Sequence, residues 1–196
     1  NFLNYEQLIL ESSHEIIWPE LPENTAAGLC YTSGTTGNPK GALYSHRSTV
    51  LHALTTSLNL GPSLGDGMKV LPVVPLFHVN AWGLPYAAPL TGTSLIFPGP
   101  NLDGASLFDL MDQENVNSAW GVPTVWLGLL EEIRKQERVP SQFQNVVIGG
   151  SAAPKSMIEE FESLGITVCH AWGMTEMNPV GTQGFLPGSM KKALSQ

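Results

Sequence analysis

The sequence predicts an α/β fold in which a largely parallel sheet is flanked by helices. Two observations predict it. Short apolar runs alternate along the chain with segments of helical periodicity, and several of these runs are apolar throughout, as in strands that are covered on both faces. Ligands of such folds bind beyond the carboxyl ends of the strands, so the glycine-rich and polar segments that directly follow strands are the candidate functional site.

The elements follow from these patterns in chain order. The strands are expected at 27–32, 41–45, 68–74, 93–97, 117–120, 145–148 and 166–170. The helices are expected at 47–60, 103–114, 123–136 and 154–164. Asp103 is the expected N-cap of the second helix, and Gly165 is the expected stop of the last one. Residues 1–25 are polar and contain prolines, which predicts an approach segment that leads into one domain at 26–196.

Residues 70–102 contain no Asp, Glu, Lys or Arg, a composition that a membrane span could share. Its prolines divide it into pieces too short to cross a bilayer as a helix. The segment is therefore expected to form buried strands and loops, and no transmembrane segment is expected.

The charge of the chain limits its partners. A net charge of −8 and a pI near 5.0 argue against nucleic acid or an anionic membrane surface. Lys40, His46 and Arg47 are a local exception that suits an anionic ligand, although His46 and Arg47 are equally interpretable as solvated surface charges. Cys30 and Cys169 lie in apolar runs and are expected to be buried free thiols, which favours a reducing, cytoplasmic location.

The first motif is the run YTSGTTGNPKG from Tyr31 to Gly41, after an apolar stretch that predicts a buried strand. Glycines bring backbone N–H groups close to an anion, hydroxyls add donors and a lysine adds a point charge, so the run is typical of a phosphate-binding loop. Two residues separate Gly37 from Lys40 and a glycine follows the lysine, which excludes a Walker loop. A simple polar turn is the other interpretation. The candidate phosphate-binding residues are Thr32, Ser33, Gly34, Thr35, Thr36, Gly37 and Lys40.

The second motif is PLFHVNAWG at 75–83, inside the uncharged segment. His78 lies among aromatic and proline residues just past a buried strand, which favours a position in the wall of a pocket. A lone histidine in an apolar setting is otherwise more often structural.

The third motif, GGSAAP at 149–154, follows the strand at 145–148. Its two glycines let a flat ring lie against the backbone, and an ordinary turn into the next helix is compatible with the same residues. The fourth motif, HAWGMTE at 170–176, combines an aromatic side chain with a carboxylate, a hard ligand that suits Mg²⁺.

These four motifs, in this order and over residues 26–180, resemble the signature of the adenylate-forming superfamily of acyl-CoA synthetases, luciferases and peptide-synthetase adenylation domains. The form FHVNAW at 77–82 is most similar to fatty acyl-CoA synthetases. The resemblance implies the acyl-CoA synthetase-like N-terminal domain, of which 26–196 would be a part. It also implies that His78, Val79 and Trp82 border the acyl pocket, with Trp82 gating the acyl tunnel.

The same resemblance implies roles at the nucleotide. Trp172 would stack on adenine, Thr175 would touch the α-phosphate, and Glu176 would bind Mg²⁺, which Thr32 would share. Lys40, Thr175 and Glu176 would be the catalytic residues. Ala171 and Trp172 stand where glycine and tyrosine are frequent, and they preserve a small residue and an aromatic face. The remaining residues implied in nucleotide binding are Val79, Gly150, Ser151, Ala152, His170, Ala171 and Gly173.

The implied chemistry uses ATP, Mg²⁺ and coenzyme A. A fatty carboxylate would attack the α-phosphorus of ATP, and the thiol of coenzyme A would then attack the acyl-adenylate and release AMP. The sequence shows no Thr-Gly-Asp ribose segment after 180, no Gly-Arg-x-Lys-Asp hinge and no carboxy-terminal catalytic lysine. The expectation is therefore a fragment without the small C-terminal domain, inactive alone. The resemblance, and not these missing segments, implies that the full-length protein can form a homodimer, since members of the superfamily are often dimers.

Two other functions remain open at this point. One is another adenylating enzyme, such as an aryl-CoA ligase or a peptide-synthetase adenylation domain. The other is a noncatalytic module that binds ATP or an acyl group. A hydrolase is disfavoured because Ser151 lies in GGSAA, and a Rossmann dehydrogenase because no Gly-x-Gly-x-x-Gly is present.

Overall fold

A mostly parallel sheet is the centre of the computed structural model, which describes residues 3–33, 37–59 and 63–184. The strands in these residues are β1 (Ala26–Thr32), β2 (Lys40–Ser45), β3 (Lys69–Pro72), β4 (Ser94–Leu95), β5 (Ser118–Gly121), β6 (Asn145–Ile148), β7 (Thr167–Gly173) and β8 (Val180–Gly184). The main sheet has the order β4-β3-β5-β6-β7-β8, parallel from β4 to β7 and antiparallel between β7 and β8. The predicted α/β fold with a largely parallel sheet is confirmed.

Helices cover both faces of this sheet. In the described residues the helices are α1 (Tyr5–Glu11), α2 (His46–Asn59), α3 (Val79–Trp82, a single turn), α4 (Leu84–Thr91), α5 (Gly104–Gln113), α6 (Pro123–Gln136) and α7 (Lys155–Ser163). None of the residues of α1 is buried, so this helix does not take part in the cover. The Asp103 carboxylate caps α5 by accepting a hydrogen bond from the Ser106 backbone N–H at 3.0 Å. Gly165, with φ of +80°, follows the end of α7. Both capping predictions are confirmed.

Alternating strand residues supply two cores, one on each face of the sheet. Ala119 and Val146 pack with α5, α6 and α7 on one face, while Trp120 and Val147 pack with α3 and α4 on the other. Cys169 belongs to the second core, where burial raises the pKa of its thiol to about 11. Cys30 is also buried, and neither thiol is in a disulfide, as predicted.

The predicted buried strand before the phosphate loop is wrong in one respect. β1 pairs with β2 in a separate antiparallel hairpin, and within the described residues it does not join the parallel sheet. Leu29, Tyr31 and Leu43 are 53%, 65% and 67% exposed, whereas Cys30 and Tyr44 are buried. Successive side chains point to opposite faces of a strand, and in the described structure one face of the hairpin is covered.

The uncharged segment also differs from its prediction as strands and loops, because it contains the helix α4. Pro85 lies in the first turn of α4, where the missing N–H has no helical partner to lose, but Pro89 lies inside the helix. Leu84, Ala87 and Ala88 are buried, and their packing offsets the cost of Pro89. No helix in the described ranges is long and apolar enough to cross a membrane.

Replacing Gly104 with alanine is expected to destabilise the chain by about 3 kcal/mol through overpacking. A Cβ at Gly104 would collide with the backbone carbonyl of Gly128 on α6, and neither helix has a flexible side chain there that could move aside. Gly128→Ala is the matched control, since its Cβ would lie 3.5 Å from the Gly104 nitrogen, an ordinary contact. Urea unfolding should place the control within about 1 kcal/mol of the parent chain, and equal losses in both variants would contradict the packing account.

Candidate active site

Two adjoining cavities lie at the carboxyl ends of β5, β6 and β7. The first, here called the apolar cavity, has a volume of about 250 Å³. Its lining residues are His78, Val79, Trp82, Trp120, Val147, Gly149, Gly150, Ala171, Trp172, Gly173, Met174, Thr175, Pro179, Val180 and Gln183. This position agrees with the expectation that ligands of a parallel sheet bind beyond its strand ends.

The second, here called the glycine-rich cavity, has a volume of about 340 Å³. It is lined by Gly150, Ser151, Ala152 and the segment 170–173. The two cavities share Gly150 and the segment 171–173, and Trp172, which is 54% exposed, contributes to both. The structure thus brings three of the four sequence motifs together around one shared wall.

The wall around His78 has an unusual backbone. Val79, Asn80, Ala81 and Trp82 all have φ between 47° and 57°, so α3 is a single left-handed turn. Such a turn costs roughly 1–2 kcal/mol per residue and persists only where the surroundings enforce it. Burial of Val79, Ala81 and Trp82 enforces it here, and the Asn80 Oδ1 accepts a hydrogen bond from the Cys30 thiol at 3.5 Å. Residue type and spacing at 79–82 do not predict this turn.

The left-handed turn places Trp82 against the glycines that follow β6. A Cβ at Gly149 would lie 3.1 Å from both the Ala171 carbonyl oxygen and the Trp82 ring. The glycine therefore allows an indole to approach the backbone between β6 and β7. The glycine pair at 149–150 predicts a flat ring against the backbone, and the ring that lies beside Gly149 in the structure is the indole of Trp82.

The β1–β2 hairpin is attached to the fourth motif. The Tyr44 hydroxyl donates a hydrogen bond of 2.5 Å to the Thr175 carbonyl oxygen. Burial, with the neighbouring Cys30, raises the pKa of this hydroxyl, which keeps it protonated as a donor. β1 also lies beside the 3₁₀ turn Thr175–Met177. The hairpin that carries the predicted phosphate loop is thereby fixed next to Thr175 and Glu176.

The predicted loop and metal residues are only partly described. Thr32 is half-buried, Ser33, Gly37, Lys40 and Glu176 are exposed, and Gly34, Thr35 and Thr36 lie outside the described residues. No group of three or more His, Cys, Asp or Glu side chains in the described ranges could hold a metal ion. An exposed single carboxylate such as Glu176 fits Mg²⁺, which keeps several waters and takes phosphate oxygens as ligands.

Two residues close to the loop in the sequence, Arg47 and His46, lie at the surface. Arg47 forms an exposed ion pair with Glu23 at 2.6 Å, which supports its interpretation as a surface charge, and His46 is exposed at the start of α2.

The chain also contains one Gly-x-Ser-x-Gly spacing, at 61–65. Its Ser63 is fully buried, so it is not the exposed serine of a nucleophile elbow.

His52 on α2 is a site residue that sequence reasoning missed. Its Nε2 accepts a hydrogen bond from the Val180 backbone N–H at 3.3 Å, and its ring packs against Gly83, where a Cβ would lie 2.6 Å from Cε1. Val180 and Trp82, the neighbour of Gly83, both line the apolar cavity. Burial lowers the pKa of His52 from 6.5 to about 4, so the imidazole stays neutral and keeps Nε2 free to accept.

His52 should make stability depend on pH. In the unfolded chain it binds a proton near pH 6.5, and in the folded chain only near pH 4, so the free energy of unfolding should fall as the pH drops through this window. The expected loss is about 2 kcal/mol, which urea unfolding at pH 7.5 and pH 4.5 would measure. His52→Gln retains an acceptor but does not titrate, and it should lose most of this dependence, whereas the exposed His46→Gln should retain it. Identical pH dependence in both variants would refute the assignment.

Known proteins resemble this chain over nearly its whole length. A family model described as AMP-binding enzyme matches residues 3–195. The chain is 55% identical over 91% of its length to a medium-chain-fatty-acid–CoA ligase of Ectopseudomonas oleovorans and 50% identical over 91% to a 3-methylmercaptopropionyl-CoA ligase of Ruegeria pomeroyi. It spans 33% of the length of each of these curated relatives. The inhibitor-bound N-terminal domain of FACL13 from Mycobacterium tuberculosis has a similar fold, with a TM-score of 0.84, 22% identity and coverage of 97% of this chain and 46% of that one.

Proposed function

Because the chain belongs to the family of AMP-binding enzymes, we propose that it forms the nucleotide and acyl binding core of a fatty acid–CoA ligase. The observation that carries the proposal is the shared wall at Gly150 and 171–173, which separates an apolar cavity from a glycine-rich one. An enzyme that joins a carboxylate to a nucleotide must hold the two substrates next to each other. Because the same residues line both cavities, ligands in the two cavities would be neighbours.

The glycine-rich cavity is the proposed adenine site. Its lining by glycine, serine and alanine leaves room for a flat base, and the exposed face of Trp172 can stack on it. Thr175 follows Trp172 by three residues and is fixed through its carbonyl by Tyr44, so its hydroxyl can donate to the α-phosphate. Lys40, at the start of β2, would provide positive charge for the phosphates on an otherwise acidic chain.

Glu176 is the proposed magnesium ligand, with Thr32 sharing the ion. The ion, when bound, neutralises charge on the phosphate oxygens. The chain positions the carboxylate by placing it in the 3₁₀ turn Thr175–Met177, beside the hairpin that carries the loop.

The proposed reaction has two steps. A carboxylate oxygen attacks the α-phosphorus of ATP, forming an acyl-adenylate as the bond to pyrophosphate breaks. The thiol sulfur of coenzyme A then attacks the acyl carbon, the carbon–oxygen bond to AMP breaks, and the thiol proton is released. His78 lines the apolar cavity together with Thr175 and would contact the acid near its carboxylate.

The proposed substrate is an aliphatic acid. Val79, Trp82, Val147, Pro179 and Val180 give the cavity apolar walls, and no Asp, Glu, Lys or Arg lines it in the described structure. The two relatives reported above are named for aliphatic acids. We place the protein in the cytoplasm, since both cysteines are free thiols.

Pyrophosphate exchange across three classes of acid tests this proposal. The protein, with whatever its gene encodes on either side of the chain, is assayed with a ladder of fatty acids, with aryl acids and with amino acids. Exchange with the fatty acids supports the proposal. Exchange confined to aryl or amino acids would favour an aryl-CoA ligase or a peptide-synthetase adenylation domain, and ATP binding without any exchange would favour a noncatalytic module.

A further inference from the structure

Two polar side chains line the apolar cavity without a use in the proposed reaction. Trp120 is 1% exposed, and its indole Nε1 has no hydrogen-bond partner in the described structure. Both amide atoms of Gln183 are likewise buried and unpartnered among the described residues. Trp126, on the other face of the sheet, shows the usual arrangement, since its Nε1 donates to the Gly121 carbonyl oxygen at 3.1 Å.

The sheet topology separates these two groups. Trp120 lies on β5 and Gln183 lies on β8, with β6 and β7 between them. At the usual spacing of adjacent strands, the two side chains are attached roughly 14 Å apart. Gln183 pairs with Ala171 in the wall that the cavities share, where the carboxyl end of an acid would lie. Trp120 is therefore the group that the distal part of an acyl chain would meet.

A buried indole N–H can only donate, so its partner must be an acceptor. This donor already lacks a partner among the described residues, so a plain alkyl chain gains nothing from it, whereas an acceptor along the chain would pair with it and add to the binding free energy. We propose that the apolar cavity selects aliphatic acids that carry a hydrogen-bond acceptor along the chain, such as an ether, keto, hydroxyl or thioether group, and that Trp120 is the donor that recognises it. The inference rests on the proposed function and specifies the substrate class of the same site.

An oxygen scan along the chain tests the proposal. The acids are octanoate and five analogues in which a single ether oxygen replaces one methylene, at carbon 3, 4, 5, 6 or 7. Acid-dependent pyrophosphate exchange is measured on the protein with its natural flanking sequence. One analogue should exceed the other four in kcat/KM by about tenfold, because its oxygen lies within reach of the Trp120 N–H.

Trp120→Phe keeps an aromatic ring but lacks the donor, and it should abolish the advantage of that analogue. Val147→Ala is the matched control, since it enlarges the same cavity without changing the donor, and it should preserve the preference. A scan with no favoured position, or a preference that survives in Trp120→Phe, overturns the inference while octanoate exchange leaves the proposed function intact.

Calorimetric binding of the same six acids separates the inference from turnover. If no acid supports exchange, the proposed function fails, and the binding series then decides the inference alone. A position-specific gain in affinity that is lost in Trp120→Phe upholds it. Uniform affinities, or no binding, overturn it.

Discussion

Replacing Glu176 with glutamine is expected to lower acid-dependent pyrophosphate exchange by about 100-fold or more. The substitution preserves size but removes the negative charge that would hold Mg²⁺ against the phosphates. Glu176 is exposed in the 3₁₀ turn Thr175–Met177, where the folded structure does not depend on its charge, so the loss should be in catalysis and not in stability. Titration with Mg²⁺ should show that the variant needs a higher concentration for half-maximal exchange.

Glu159→Gln is the matched control. Glu159 is an exposed glutamate on α7 whose partner, Lys155, is 3.3 Å away in an exposed i,i+4 pair, which contributes little. This variant should retain exchange within about twofold of the parent protein. Equal activity of Glu176→Gln and Glu159→Gln would contradict the assignment of Glu176 to the metal.

Replacing Trp172 with alanine is expected to raise the KM for ATP by about tenfold to 100-fold, the value of one base stacked on an aromatic ring. Trp172 is half-exposed and contributes to both cavities, so its ring is available to a ligand and is not needed to fill the core. Saturation of the exchange reaction with ATP at fixed acid concentration measures the effect.

Trp172→Phe separates stacking from general damage to the site. Phenylalanine retains a flat apolar face, so its KM for ATP should stay within about threefold of the parent value. If both variants raise the KM equally, or if alanine changes only the KM for the acid, Trp172 does not stack on the adenine.

The regular elements of the fold were predictable because each carries its own local signal. β6 is an apolar run between turn residues, α5 begins at the capping carboxylate of Asp103, and Gly165, whose positive φ suits a glycine, follows two residues after the end of α7. These signals depend only on neighbours in the chain, so they can be recognised without knowledge of the fold. The position of the site was predictable for a different reason. Three motifs follow β3, β6 and β7, and parallel strands bring their carboxyl ends to one edge of the sheet.

The errors concern tertiary context. The apolar run of β1 does not reveal how many of its faces are covered, and the structure covers the one that carries Cys30. Pro89 argues against a helix by local rules, but the burial of its neighbours in α4 outweighs that cost.

His52 and Trp120 were missed for a related reason. His52 acts through Val180, 128 residues away in the chain, and Trp120 matters because its donor is buried without a partner among the described residues. Neither property is visible in residue type or spacing. A histidine in α2 and a tryptophan in β5 are ordinary core residues until their contacts are known.

If this site joins a carboxylate oxygen to the α-phosphorus of ATP, as we propose, that oxygen atom remains with AMP and can be followed by isotope transfer. The protein is given a fatty acid labelled with ¹⁸O in its carboxylate, together with ATP, Mg²⁺ and coenzyme A, and the phosphorus products are examined by mass spectrometry. We expect one ¹⁸O atom in AMP and none in pyrophosphate. Formation of ADP with ¹⁸O in inorganic phosphate would contradict it, because the carboxylate would then have attacked the γ-phosphorus.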